Sequence, residues 1–174
     1  MARKHQVGSE VMVQTHTLAV LPRTSECSPY VELRQSLPSK VAAISPFADQ
    51  LMIFVHKFRD ADGSEVDIEI ALREALANAV IHGNREDPHK RVQVSCRCGL
   101  DGEVFLTVSD EGQGFENSAA PDPTAPENVE FTHGRGIYLM KTLMDEVRFE
   151  RSGATVHMRK KSASTPPVLP DRPK

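Results

Sequence analysis

Ala71-Leu-Arg-Glu74-Ala-Leu-Ala-Asn78-Ala-Val-Ile-His-Gly83 reads as the last turns of a helix that is apolar on one side and chemical on the other. Ile68, Leu72, Ala75, Leu76, Ala79 and Val80 recur at helical spacing and form the apolar stripe. Glu74 and Asn78 stand at i and i+4, one above the other on a single face. The helix is expected to run to about Ile81, where Gly83-Asn84 stops it as a left-handed C-cap would. His82 then belongs to the helix end, as a capping or supporting residue. Taken alone, most Glu-x-x-x-Asn pairs are explained by a solvated helix face.

Working outward from that helix, the turn Asp60-Ala-Asp-Gly63 precedes it, with Asp62 or Ser64 available as its cap. Before the turn, Ile44, Phe47, Ala48, Leu51, Met52, Val55 and Phe58 form the stripe of a first helix. Its start is signalled at Ser45-Pro46, a cap followed by proline, although Val41 and Ile44 also allow a start near Ser39. Tyr30 to Leu37 alternates as a strand, with Val31, Leu33 and Leu37 inward and Pro38 at its end. Downstream, Val92, Val94, Cys96 and Cys98 alternate, Leu100-Asp-Gly-Glu103 turns, and Val104 to Ser109 returns as a hairpin. Residues 113–132 carry three prolines and no periodicity, which predicts a long lid-like loop. A third helix is expected after Gly136, on Ile137, Met140, Leu143, Met144 and Val147. Strands over Val147–Glu150 and Thr155–Arg159, joined at Ser152-Gly153, close the chain.

Strand pairs alternating with helices predict an α+β fold: a two-layer sandwich with an antiparallel or mixed sheet and helices on one face. The expected organisation is an arm over 1–28, one domain over 29–161 and a tail over 162–174. The 39% apolar content of the 174 residues suffices for one core, and the net charge of −3 gives no general pull toward nucleic acid or an acidic membrane surface. No apolar run approaches the roughly 20 residues that span a bilayer. The three cysteines make no even framework, and Cys96 and Cys98 point to one face of a strand, so they read as reduced thiols of a cytoplasmic protein.

Two further stretches complement the Glu74 face. Asp110 ends an apolar strand and precedes Gly112 and Gly114, so a carboxylate meets backbone that can approach a flat ring closely. Gly134-Arg135-Gly136 opens a helix, whose free N–H groups and dipole suit phosphate, with the Arg135 guanidinium beside them. Asn78 offers one neutral oxygen to a hard cation, and Glu74 can polarise a hydroxyl or water. Together these groups suit ATP with Mg2+.

The blocks Ala71 to Gly83, Val108-Ser-Asp-Glu-Gly-Gln-Gly-Phe115 and Gly134-Arg-Gly-Ile-Tyr-Leu-Met-Lys-Thr-Leu-Met-Asp-Glu-Val147 resemble the GHKL ATPases, the group containing gyrase and the histidine kinases. Within that group the chain most closely resembles the bacterial anti-sigma-factor serine/threonine kinases, over roughly residues 30–161. The resemblance implies a Bergerat-type sandwich with ATP between the helices and the lid. It makes Glu74 the general base, Asn78 the magnesium ligand and Asp110 the adenine contact. It sets Gly112 and Gly114 at the base, Gly134, Arg135 and Gly136 around the phosphates, and Thr155 in support of the adenine-binding acid. It further implies a sigma factor and an anti-anti-sigma phospho-acceptor as partners, and a homodimer. The arm and the lid do not match the family pattern residue by residue, and nothing before the domain resembles a phospho-accepting histidine helix. A partner-binding module without chemistry, and a regulatory ATPase without a protein substrate, are the rival readings.

Overall fold

A computed structural model of the chain describes residues 30–59, 63–114 and 132–162. The expected arm over 1–28 lies outside the described residues, as do nearly all of the lid and the tail. Element order is β1 (Tyr30–Pro38), α1 (Ile44–Phe58), α2 (Glu65–Ala77), β2 (Arg91–Gly99), β3 (Val104–Ser109), α3 (Thr132–Leu143), β4 (Glu146–Glu150) and β5 (Thr155–Lys160). The five strands form one sheet in the order β1-β2-β3-β5-β4, and every neighbouring pair is antiparallel. The fold is the expected α+β sandwich, with an antiparallel sheet.

Register explains how one face is buried. Leu33, Cys96, Leu106, Met158 and Val147 lie opposite one another across the five strands. Side chains alternate along a strand, so these residues share a face with Leu37, Val92, Val94, Val108 and Val156. They pack against Phe47, Leu51 and Val55 of α1 and Ile68, Leu72 and Leu76 of α2, in one core cluster. Cys96 and Cys98 belong to that face with their Sγ atoms 4.0 Å apart, both as free thiols. The opposite face carries its own ladder. Arg97 stacks on Tyr30 and Phe105, and Arg159 lies over Phe105 while bonding Glu103 (2.5 Å) and Glu146 (2.9 Å). Among the described residues no helix is long and apolar enough to cross a membrane.

At the first helix the earlier of the two expected starts holds, and two other boundaries differ from expectation for local reasons. The first helix begins before Ser45-Pro46: a 3-10 turn over Val41–Ala43 runs directly into α1 at Ile44. Pro46 is tolerated there because the first turn's N–H groups have no intrahelical acceptor to lose. The stop after α2 is no left-handed glycine. Asn78–Gly83 continues the helix as a π-helical turn, Asn84 is right-handed (φ −83°), and the left-handed pair is Arg85 and Glu86. The third helix starts at Thr132 rather than after Gly136, so Gly134, Arg135 and Gly136 lie within its opening turns. A glycine costs about 1 kcal/mol in a helix interior relative to alanine. Gly136 meets a demand for space, described next, that outweighs this cost.

Candidate active site

The site is built on α2 and its π-helical extension. The α-helix runs to Ala77, then widens over Asn78–Gly83. Single π turns recur at functional sites because the extra residue redirects the chain without breaking the helix. Glu74 and Asn78 are half-buried, on the side that faces α3. Gly136 of α3 lies directly against them. A Cβ at Gly136 would come within 2.7 Å of Glu74 Oε2 and 3.3 Å of Asn78 Nδ2. Only a residue without a side chain brings the opening of α3 this close to the carboxylate and the carboxamide. Arg135 is exposed beside it.

The far end of the same helix meets the second block. A Cβ at Gly83 would collide with the carboxylate of Asp110, and one at Gly112 with the carbonyl of Gly83. Asp110 is buried, at 7% exposure. Its backbone N–H donates to Ala154 O (2.9 Å), and its Oδ1 accepts from the N–H of Gly112 (2.7 Å). Burial pushes its carboxyl above the usual carboxylate range, opposed by the Gly112 N–H and the positive charges of Arg151 and Lys90. Gly114 has φ +76° and sits on the carbonyls of Ser152 and Arg151, so the glycine turn is stacked on the β4–β5 connection.

Thr155 is buried opposite Ser109 and shares a hydrogen bond with its hydroxyl at 2.8 Å. Thr155 therefore reaches the acid through the residue before it. Arg151 donates to the same Ser109 hydroxyl (3.1 Å). His82, in the π turn, is exposed.

All three blocks thus lie along one helix. Gly136 abuts Glu74 and Asn78, and Gly112 with Asp110 abuts Gly83. Gly83 lies nine positions beyond Glu74, at most about 13 Å along the axis at the α-helical rise and less across the π turn. That span suits an elongated ligand with a flat polar ring at one end and negative charge at the other.

A family model for the histidine kinase-like ATPase domain matches residues 36–160. The chain belongs to this ATPase family. The match covers every element from the end of β1 to the last residue of β5, and membership in the histidine kinase-like ATPase family implies ATP as the ligand. The serine-protein kinase RsbW of Bacillus subtilis is 40% identical over 102 residues, covering 54% of this chain and 62% of that protein. The protein of the same name from Staphylococcus epidermidis is 31% identical over 139 residues, 74% of this chain and 84% of the relative. The anti-sigma F factor of Geobacillus stearothermophilus is 33% identical over 133 residues, 73% and 80% of the two chains. The alignment thus spans less than two thirds of the Bacillus subtilis relative.

Two residues of the site escaped the sequence reading. Gly83 was expected as a cap and serves as clearance for Asp110. Asn84 was expected only to help stop the helix, yet it is fully buried and hydrogen-bonded to the residue after Asp110. Neither is visible from spacing, because both depend on a loop almost thirty residues downstream.

Proposed function

We propose that this chain is an anti-sigma factor with ATP-dependent serine/threonine kinase activity, which binds a sigma factor and phosphorylates an anti-anti-sigma partner. The observation that carries this reading is the close approach of Gly136 to Glu74 and Asn78. It brings a base, an oxygen ligand and the opening of a helix to one point. The kinase and anti-sigma names of the relatives support the choice of partner over plain ATP hydrolysis. A homodimer is part of the same proposal, by likeness to that group.

In this reading the residues divide the work by position. Asp110 accepts a hydrogen bond from the exocyclic amino group of adenine, with Gly112 and Gly114 bringing backbone close to the ring. The first turn of α3, from Thr132 to Arg135, would turn its unsatisfied N–H groups and positive dipole end toward the phosphates, while Gly136, one turn further in, leaves clearance beside Glu74 and Asn78. Arg135 adds a guanidinium fork for phosphate oxygen. Asn78 Oδ1 would hold Mg2+. The donor set fits a hard cation that takes oxygen ligands and keeps several waters, and Gly136 leaves room beside it. Magnesium, when bound, neutralises charge on the phosphates. Glu74 takes the proton from a serine or threonine hydroxyl of the partner as its oxygen bonds to the γ-phosphorus, and ADP leaves.

The test is transfer of labelled γ-phosphate from ATP to a small acceptor domain recovered with the chain from its native cell. Glu74→Gln should abolish labelling, by at least about 100-fold as expected for loss of a general base, while the Kd for ATP changes little. Undiminished labelling by Glu74→Gln would remove Glu74 from the role of base. Phosphate release with no labelled protein would favour the ATPase reading instead.

A further inference from the structure

Asn84 is the most thoroughly bonded side chain near the site, and no part of the mechanism above uses it. It has no exposed surface, at 0%. Its backbone N–H closes the π turn on Ala79 O (2.8 Å). Its carboxamide is divided between two tasks. Nδ2 donates to Ser39 Oγ (2.6 Å) and to Arg91 O (3.0 Å), fixing the side chain to the end of β1 and the start of β2. Oδ1 accepts from the backbone N–H of Glu111 (2.8 Å). Glu111 lies between Asp110 and Gly112, whose own N–H holds the Asp110 carboxylate. The Glu111 carboxylate in turn accepts from the N–H of Arg91 (2.8 Å), so this loop is tied to β2 from both sides.

We infer that Asn84 is a positioning residue for base recognition. Its Oδ1 sets where the Asp110 loop stands, and hence where the carboxylate meets the adenine amino group. The inference rests on the reading of Asp110 as the adenine contact. It extends that reading to a residue at the other end of the π turn from Asn78. Asn84 thereby links the cation end of the site to the base end through one short stretch of backbone.

The two halves of the carboxamide can be separated by substitution. Asn84→Asp keeps an acceptor for the Glu111 N–H, and the Ser39 hydroxyl can reverse its bond. It loses the bond to Arg91 O, which lowers stability. Asn84→Leu has similar bulk and no acceptor. Ser39→Ala removes a partner on the side away from the loop. For the full chain and each variant, calorimetry would measure the Kd of Mg-ATP and of magnesium tripolyphosphate, and a thermal melt would follow folding. Tripolyphosphate has no base to be read.

Asn84→Leu should weaken ATP about tenfold, the scale of one lost buried hydrogen bond with its orphaned donor, and leave tripolyphosphate unchanged. Asn84→Asp and Ser39→Ala should melt at lower temperature with the wild-type ratio of the two affinities. A merely structural role would weaken both ligands together. Equal weakening in Asn84→Leu, unchanged ATP binding, or a reduced ratio in Asn84→Asp would overturn the inference. Should Asn84→Leu not fold, Asn84→Ala, which also lacks the acceptor, takes its place with the same expected and overturning results. Asp110→Asn is measured alongside. If it leaves the ratio unchanged, the adenine reading fails and this inference with it. If Asp110→Asn lowers the ratio and Asn84→Leu does not, only the inference fails.

Discussion

The two ends of the site are made in opposite ways. At the base end, Asp110 stands in a lattice of bonds: Gly112 N–H, Ala154 O, the Asn84–Glu111 link, and the Ser109–Thr155–Arg151 hydroxyl cluster behind it. Strain gathers there as well. All four non-glycine residues with positive φ among those described, Arg85, Glu86, Arg151 and Ser152, lie in the two connections beside it. A non-glycine residue in the left-handed region costs on the order of 1 kcal/mol, and persists where its surroundings over-determine it. The Gly136 end, which the proposed reading gives to the phosphates, is defined by clearance. Gly136 keeps side-chain volume out of the place where Glu74 and Asn78 point. A flat heterocycle offers fixed donors and acceptors, so a preset cradle suits it. Phosphates and a hydrated cation change shape during transfer, so open space lined by a few directed groups suits them.

The sharpest way to break this contrast is Gly136→Ala. The new methyl would strike the far end of a flexible carboxylate, which can swing aside. The fold should be unharmed, since alanine favours helix over glycine by about 1 kcal/mol. Displacing the base by an ångström should lower kcat by about 100-fold with little change in the Kd of ATP. Preserved turnover would show that the clearance is incidental.

The same substitution at the other end should do the reverse. In Gly83→Ala the methyl meets the Asp110 carboxylate, a short side chain with nowhere to go. ATP should bind about tenfold more weakly, the scale of a lost charge-assisted hydrogen bond, while kcat at saturation persists. A fall in kcat with an unchanged Kd would invert the assignment of the two ends.

Acid should weaken the hold on the ligand at the Asp110 end. In the proposed reading Asp110 must be ionised to accept from the adenine amino group, and burial has raised its pKa. Its contribution to affinity is therefore complete above that raised value and lost as pH falls through it, at a higher pH than for an ordinary carboxylate. Because the folded pKa exceeds the unfolded one, the same group favours the fold at low pH, and that contribution fades as pH rises. Titrating Kd for ATP against pH should show this limb, and Asp110→Asn should abolish it. The smallest effect is expected of Thr155→Val, which takes one hydroxyl from Ser109: a few-fold in Kd, as for one neutral hydrogen bond.

What the sequence disclosed follows the range of the forces involved. Apolar periodicity located α1, α2, β1 and β2, because burial on one face repeats at a fixed interval. Glu74 and Asn78 were placed on one face by the same spacing and Asp110 at a strand end, but their roles came only from the resemblance of the three blocks to a known family. Gly83 was misread because a helix stop and a clearance glycine look alike in one dimension. The left-handed turn went to Arg85 and Glu86, which no propensity would choose, since tertiary bonds from Asn84 override local preference. The start of α3 moved to Thr132 because the need of Gly136 for contact with Glu74 is invisible from Gly134-Arg-Gly136 itself.

The π turn from Asn78 to Gly83 has one more consequence. It makes the separation between the magnesium-side carboxamide and the base-side anchor a matter of counting residues. Point substitutions can retune either terminus, but no single replacement can lengthen the gauge between them. Removing one residue would swing everything after it by about 100° around the axis. Divergence toward a longer or shorter ligand therefore requires an insertion or deletion here, and descendants of this scaffold should vary in side chains across the turn while keeping its length.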